Sequence, residues 1–289
     1  MTPVAEPRPV LRLHPAHRDD IGDLVTRRPV PGPGLEQVDP FLFLNHHGPQ
    51  TYPPNNRGLP FGPHPHRGFE TVTFILDGEL AHNDSGGGES IIRAGGVQWM
   101  TAGSGLIHAE LSPASFKRDG GPMEILQLWV NLPSRLKMTK PAYIGLQAAD
   151  IPTFVTDAGV TVEPVSGVWQ GRTAPIQSLI DVNLAVLRLP AGAAFAEPVA
   201  ADRNIFLYVV KGGLEIAGIA VPQWTLAALG PGDGVALRAT EDAVVLLGHA
   251  RPIGEPVFAH GPFVMNTREE IIAAIQDYQA GKFGPPPAV

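Results

Sequence analysis

Two short segments of this sequence carry most of its capacity for chemistry: His64-Pro65-His66 and His108-Ala109-Glu110. In extended chain, residues i and i+2 point to the same side, so each pair can aim two donor groups at one point. Brought together across a barrel, the pairs supply three imidazole nitrogens and one carboxylate. Such a set suits Fe(II), Mn, Co, Ni, Cu or Zn and leaves positions open for O2 or a substrate. The chain has no cysteine, so disulfides and thiolate sites are excluded and any metal must use N and O ligands. One H-x-H is common by chance, but two matched pairs within one strand-rich stretch are harder to dismiss. Glu110 also lies in the apolar run LIHAEL, where an unpaired carboxylate would be costly to bury.

The elements that must position these residues are strands. Residues 71–83 (TVTFILDGELAHN) and 204–218 (NIFLYVVKGGLEIAG) each read as an apolar run, a glycine turn and a second strand. Asp77-Gly78 and Gly212-Gly213 read as hairpin turns. Two related all-β units in tandem account for the repetition. Residues 124–132 (EILQLWVNL) suit a strand buried on both faces, whereas Val182, Leu184 and Val186 alternate with polar or small residues as in a half-buried strand. A single helix is expected near the C-terminus. Thr267 and Glu270 make a capping box, Ile271, Ile272, Ile275 and Tyr278 an apolar stripe, and Gly281 a stop, which together suit a lid on a barrel.

These features predict a flexible leader over residues 1–20, a metal-binding barrel over 21–145, and a barrel without metal ligands over 146–289 that carries the helix. The Pro-rich tail 284–289 reads as loose. Where the first unit has H-x-H, the second has Glu197-Pro198-Val199. Of 289 residues, 44% are hydrophobic, enough for real cores, and 33 Gly with 31 Pro punctuate many short strands. The formal charge of −7, with no concentration of Lys and Arg, argues against direct nucleic-acid binding. No apolar run has the length of a signal peptide or a membrane helix, which leads to the expectation of a cytoplasmic monomer.

Longer motifs carry a resemblance. HPHRGFETVTFILDGELAHND followed by GGVQWMTAGSGLIHAE, with DPFLFLNHHGP at 39–49, LQLWVNLP at 126–133 and GPFVMNTREEI at 261–271, resembles the pirin family of the cupins. The likeness runs from about residue 21 to residue 283 and leaves the leader out. It implies an all-β bicupin, two tandem antiparallel barrels of jelly-roll type, with one ion in the first, Fe(II) above the other divalent metals, and ligands at His64, His66, His108 and Glu110. It further implies a quercetin 2,3-dioxygenase-like activity, opening a flavonol or a related enolisable molecule with O2, in which Glu110 takes the substrate's hydroxyl proton. The alternative it implies is an iron-dependent, redox-sensing regulator that binds a transcription factor or a metabolic enzyme.

Other residues near these motifs have two readings each. Glu70 stands close to a position that ligates metal in many cupins; it supports the site or forms a surface pair with Arg67. His82 reads as a solvated strand histidine or as one that looks into the barrel mouth. His46 and His47 line the pocket entrance or a polar loop, and His249 and His260 serve packing or surface. Trp99 and Met100 read as core, and Gly103 and Gly105 as a tight turn before the His108 strand. Only the first unit has a ligand set, so elemental analysis should find one ion per chain; two tightly held ions would place a second metal in the other barrel.

Overall fold

Strands dominate because β-branched and aromatic runs are cut every few residues by Gly or Pro, which leaves no room for helical periodicity. The structure is a computed structural model and describes residues 4–288. The chain divides into two units. One contains residues 18–28, 41–150 and 253–289; the other contains residues up to 17, then 29–40 and 151–252.

The first unit, which holds both histidine motifs, is a barrel of two antiparallel sheets. Its small sheet runs in the order Phe61–His66, Leu106–Leu111, Glu79–Asp84, Glu89–Arg93. Its large sheet runs Ala142–Leu146, Val97–Thr101, Phe69–Asp77, Gly121–Asn131, Phe41–Tyr52, with Thr26–Val30 beyond. Along Phe69–Asp77 the inward residues are Phe69, Thr71, Thr73 and Ile75. Ile75 joins Leu24, Tyr52, Leu80, Phe116 and Met123 in an apolar core that fills one end of the barrel. The other end is left to polar residues.

The second unit repeats this plan. Its small sheet is Ala194–Pro198, Gly234–Ala239, Leu214–Ile216, Ile219–Val221, and its large sheet begins Val10–Pro15, Thr225–Leu229, Asn204–Lys211, Ala243–Ala250, Asn183–Leu189. Strand for strand, Ala194–Pro198 stands where the first unit has Phe61–His66, and Val10–Pro15 where it has Ala142–Leu146. The fold is all-β, as expected from the repeats, and bicupin, as the resemblance implies.

Several expectations are corrected. The leader is not loose from residue 10 on: Val10–Pro15 pairs antiparallel with Thr225–Leu229, with His14 opposite Leu226 and buried. Residues 1–3 of that predicted leader, and Val289 of the predicted loose tail, lie outside the described residues. The helix Arg268–Gln279 belongs to the first unit, not the second. Its capping box forms as expected, but Ile271 and Ala274 face inward while Ile272 and Tyr278 are exposed. Asp77-Gly78 and Gly212-Gly213 are not hairpin turns. The strands on either side of each turn sit in different sheets, so both turns are corners that carry the chain across the barrel. Asn183–Leu189 is buried on both faces, whereas Gln127 and Trp129 in Gly121–Asn131 are only half-buried, the reverse of the patterning read from sequence. Among the described residues no helix is long and apolar enough to cross a membrane.

Gly103 meets expectation for a physical reason: at φ 49° its Cβ would lie 2.0 Å from the Thr139 carbonyl oxygen. Close by, the buried Lys137 ammonium joins three parts of the unit. It donates to the carbonyls of Gly68 (2.9 Å) and Val264 (3.0 Å) and to Asn131 Oδ1 (2.7 Å). Lys137→Met would keep an unbranched stem, one atom shorter, and leave these acceptors without a donor. Urea unfolding should show a loss of about 3 kcal/mol, and a loss under about 0.5 kcal/mol would mean the ammonium is not a tie.

Candidate metal centre

The two motifs meet as neighbouring strands of one sheet. Leu106–Leu111 pairs antiparallel with Phe61–His66, with His108 directly opposite His64 and Leu106 opposite His66. Ring centroids are 4.4 Å apart for His64 and His108, 4.8 Å for His64 and His66, and 4.9 Å for His66 and His108. One ring nitrogen from each comes within 4.8 Å of the others, the spacing of a group that could hold a metal ion. The register shifts between His108 and Glu110, a bulge of the kind that re-aims side chains beside a site.

Hydrogen bonds set which nitrogens are available. Nδ1 of His64 donates to the Gly62 carbonyl at 2.7 Å, and Nδ1 of His66 donates to the Pro262 carbonyl at 3.2 Å. Both rings are thereby held in the tautomer that leaves the Nε2 lone pair open, the usual way a histidine ligand is oriented. Pro262 comes from the far end of the sequence, where Val264 N–H also bonds to the Arg67 carbonyl at 3.0 Å. His108 is 1% exposed, and neither of its ring nitrogens has a hydrogen-bond partner. Burial, reinforced by His64, lowers the His66 pKa to about 3. Burial, then His66, His64 and His82, hold His108 well below the ordinary range. All these effects favour neutral imidazoles, the form that binds metal.

Glu110 is 3% exposed and sits beside the triad rather than within that closest group. Its Oε1 accepts from Thr73 Oγ1 at 3.0 Å and its Oε2 from Gln127 Nε2, both donors crossing from the large sheet. Among the described residues no lysine or arginine pairs with it. A buried carboxylate beside two freed lone pairs and an orphaned imidazole is a donor set that fits a divalent cation.

The remaining candidates fall on either side of the barrel wall. Glu70 alternates with Phe69 and Thr73, so it faces away from the triad. It is 1% exposed, accepts from Thr101 Oγ1 at 2.6 Å, and burial raises its pKa. The surface pair with Arg67 does not form; Arg67 binds Asp277 at 2.9 Å and the Ser104 carbonyl, and lies 4.6 Å over the Phe283 ring. His46 bonds to Glu124, and His47 shares a hydrogen bond with Thr26 and packs 5.3 Å from Phe61, so both are buried rather than in a polar loop. Trp99 and Met100 are core, as expected.

His82 is not solvated. It is 1% exposed, stands opposite Glu110, and its ring lies 5.4 Å from His108. Its Nε2 donates to Asp84 at 2.8 Å, and the ring stacks on Tyr143 at 3.9 Å. A signal was present: His82-x-Asp84 is a third i,i+2 pair of the same kind as the other two. Trp129 and Phe69, 5.4 and 5.1 Å from His66, close the opposite flank. His64 alone of the triad is partly exposed, so access is from its side.

Two antiparallel jelly-roll barrels, one with H-x-H and H-x-E on paired strands of its small sheet, define a bicupin. The pirin family model matches residues 23–130, and that of the pirin C-terminal cupin domain matches residues 184–284. The chain belongs to the pirin family. A pirin-like protein of Caulobacter vibrioides is 44% identical over 280 residues, covering 96% of this chain and 99% of the relative. A Pseudomonas aeruginosa protein provisionally named as a quercetin 2,3-dioxygenase is 37% identical over 284 residues, 95% of this chain and 97% of its own. The crystal structure of a quercetin 2,3-dioxygenase from Acinetobacter baumannii superposes with a TM-score of 0.89 at 33% identity, covering 96% of this chain and 99% of that one.

The neutral state of His47 and His66 makes stability depend on pH with a definite sign. A histidine whose folded pKa lies below its unfolded value near 6.5 carries no penalty above pH 6.5 and loses stability as pH falls from there toward the folded value. His47 and His66, both lowered to about 3 by burial, should each contribute up to about 1.4 kcal/mol per pH unit in that window. Urea unfolding of chelator-treated protein between pH 7 and pH 5 should show the decline. A flat profile would mean that these rings protonate freely in the folded state.

Proposed function

We propose that this chain is a metal-dependent oxidoreductase that opens a flavonol of the quercetin type, or a related enolisable molecule, with O2. The observation that carries the reading is the convergence of three imidazoles, two of them held in one tautomer, beside a buried carboxylate with no cationic partner among the described residues. The names of the Pseudomonas and Acinetobacter relatives support the substrate class.

His64, His66 and His108 would hold one divalent ion, with Fe(II) first among those the donors suit, and Glu110 would complete the set. Such an ion, when bound, supplies Lewis acidity toward an enol oxygen and redox chemistry toward O2. The protein's own part is orientation and proton transfer. Thr73 and Gln127 fix both oxygens of Glu110, which takes the proton of the substrate's hydroxyl. The Phe69–Trp129 wall and the His82–Tyr143 stack exclude water on two flanks, and the partly exposed side at His64 admits the substrate.

His108→Ala should empty the site while leaving the apolar core at the other end of the barrel folded. Glu110→Gln keeps size and removes the base. With quercetin in air-saturated buffer, its oxygen uptake per bound iron should fall by roughly 10²–10⁴-fold, the usual range for a general base. Equal rates per iron would take Glu110 out of proton transfer. No uptake by iron-loaded wild type with quercetin or a panel of enolisable compounds would overturn the enzymatic reading.

A further inference from the structure

The second barrel keeps a polar group where the first has its metal ligands, but with opposite chemistry. Glu197 lies on Ala194–Pro198, the strand that takes the place of Phe61–His66, and is 5% exposed. Its Oε2 has no hydrogen-bond partner. Burial raises its pKa to about 7, opposed by the backbone N–H of Gln170, a non-glycine residue held at φ 47°. His249, also 5% exposed, lies on the neighbouring large sheet with its ring 5.4 Å from Trp169.

The tautomer of His249 can be read directly. Arg203 Nε, which can only donate, bonds to His249 Nδ1 at 2.7 Å. Nδ1 is therefore the acceptor, and the neutral ring carries its proton on Nε2. That N–H is buried and without a partner. Arg8 supplies a second such donor. It is 5% exposed, its Nη2 donates to the Ala200 carbonyl at 2.8 Å, and its Nε has no partner.

These groups share one rim. The Ala200 carbonyl that accepts from Arg8 also accepts from Arg203 N–H at 3.0 Å, and Arg203 holds His249. Arg8 N–H bonds to Gly234 at 3.0 Å, next to Val235, which pairs with Glu197. The positive charge of Arg8 is felt at His249. Asp181 on Arg203 and Asp202 near Arg8 balance the two guanidinium groups.

In the first barrel the freed imidazole lone pairs call for a cation. Here two of the three unmatched atoms are N–H groups, and a buried donor left unmatched destabilises the fold. We infer that the second barrel binds one small carboxylate, whose oxygens accept from Arg8 Nε and His249 Nε2 and lie against the Glu197 carboxyl. Glu197 in its protonated form donates to the ligand and avoids opposing it. Asn183, which accepts from Arg203 Nη2 at 3.2 Å, and Asp181 hold Arg203 in place behind His249.

The test is calorimetric titration of the purified chain with sodium acetate at constant ionic strength set by sodium chloride. Wild type should give saturable heat with one site per chain. Arg8→Gln, which alters an arginine of the N-terminal segment outside the apolar core, should weaken binding at least tenfold with an unchanged circular dichroism spectrum. His249→Phe should do the same, and His108→Ala should bind as wild type does. The proposal is overturned by absence of saturable heat in wild type or by undiminished binding in both Arg8→Gln and His249→Phe. It also fails if binding is lost in His108→Ala, which would put the anion at the metal centre, or if a crystal grown with acetate shows only a water at these atoms.

Discussion

The candidate metal centre depends on one register. Because Leu106–Leu111 pairs with Phe61–His66 so that His108 faces His64, two motifs about forty residues apart place their rings within contact distance. A slip of one residue would turn His108 to the other face of the sheet and bring Ile107 into the barrel. Ile107 itself guards against that slip. It packs with Phe263, Met265, Ile271, Ala274 and Phe283 from the C-terminal segment, on the side away from the histidines. The apolar back of the strand and its polar front thus enforce the same alignment.

The C-terminal segment therefore does more than cover a barrel. The Pro262 carbonyl selects the tautomer of His66, and Gly68 lets the segment approach, since a Cβ there would lie 2.0 Å from the Val264 carbonyl oxygen. Asp277 and Phe283 hold Arg67, the residue next to that histidine. Glu110 is fixed by different means, through donors on two strands of the facing sheet. Histidine and carboxylate are thus held by separate parts of the unit, each anchored in backbone or buried polar contacts.

Period-two spacing made the triad legible in the sequence, because H-x-H and H-x-E state their geometry within three residues. The repeat of apolar run, glycine turn and strand likewise revealed two barrels. What could not be read were pairings without local trace. Asp77-Gly78 signals a turn, yet says nothing of which sheet receives the next strand. The environment of Glu70 follows from its parity with Thr73, which becomes visible only once Thr73 is known to touch Glu110. Val10–Pro15 carries Arg12 and a closing proline and reads as leader; only its distant partner makes it a strand. The helix was placed with its sequence neighbours because its amphipathic stripe names no target.

That first strand has a consequence for synthesis. Its partner Thr225–Leu229 is more than 200 residues further along, so on a ribosome moving at about 5–20 residues per second the segment waits roughly 10–40 s before it can pair. During that time the barrel that includes the metal motifs emerges, up to its own edge strand Ala142–Leu146. An early segment that bonded to the open edge of that nascent sheet would occupy the place of Ala142–Leu146, since the two strands hold equivalent positions in the two barrels. Arg12 in the middle and Pro15 at the end, one charged and one lacking an N–H, make it a poor competitor for that edge. The composition that disguises the strand in the sequence is also what keeps it available until its partner is made.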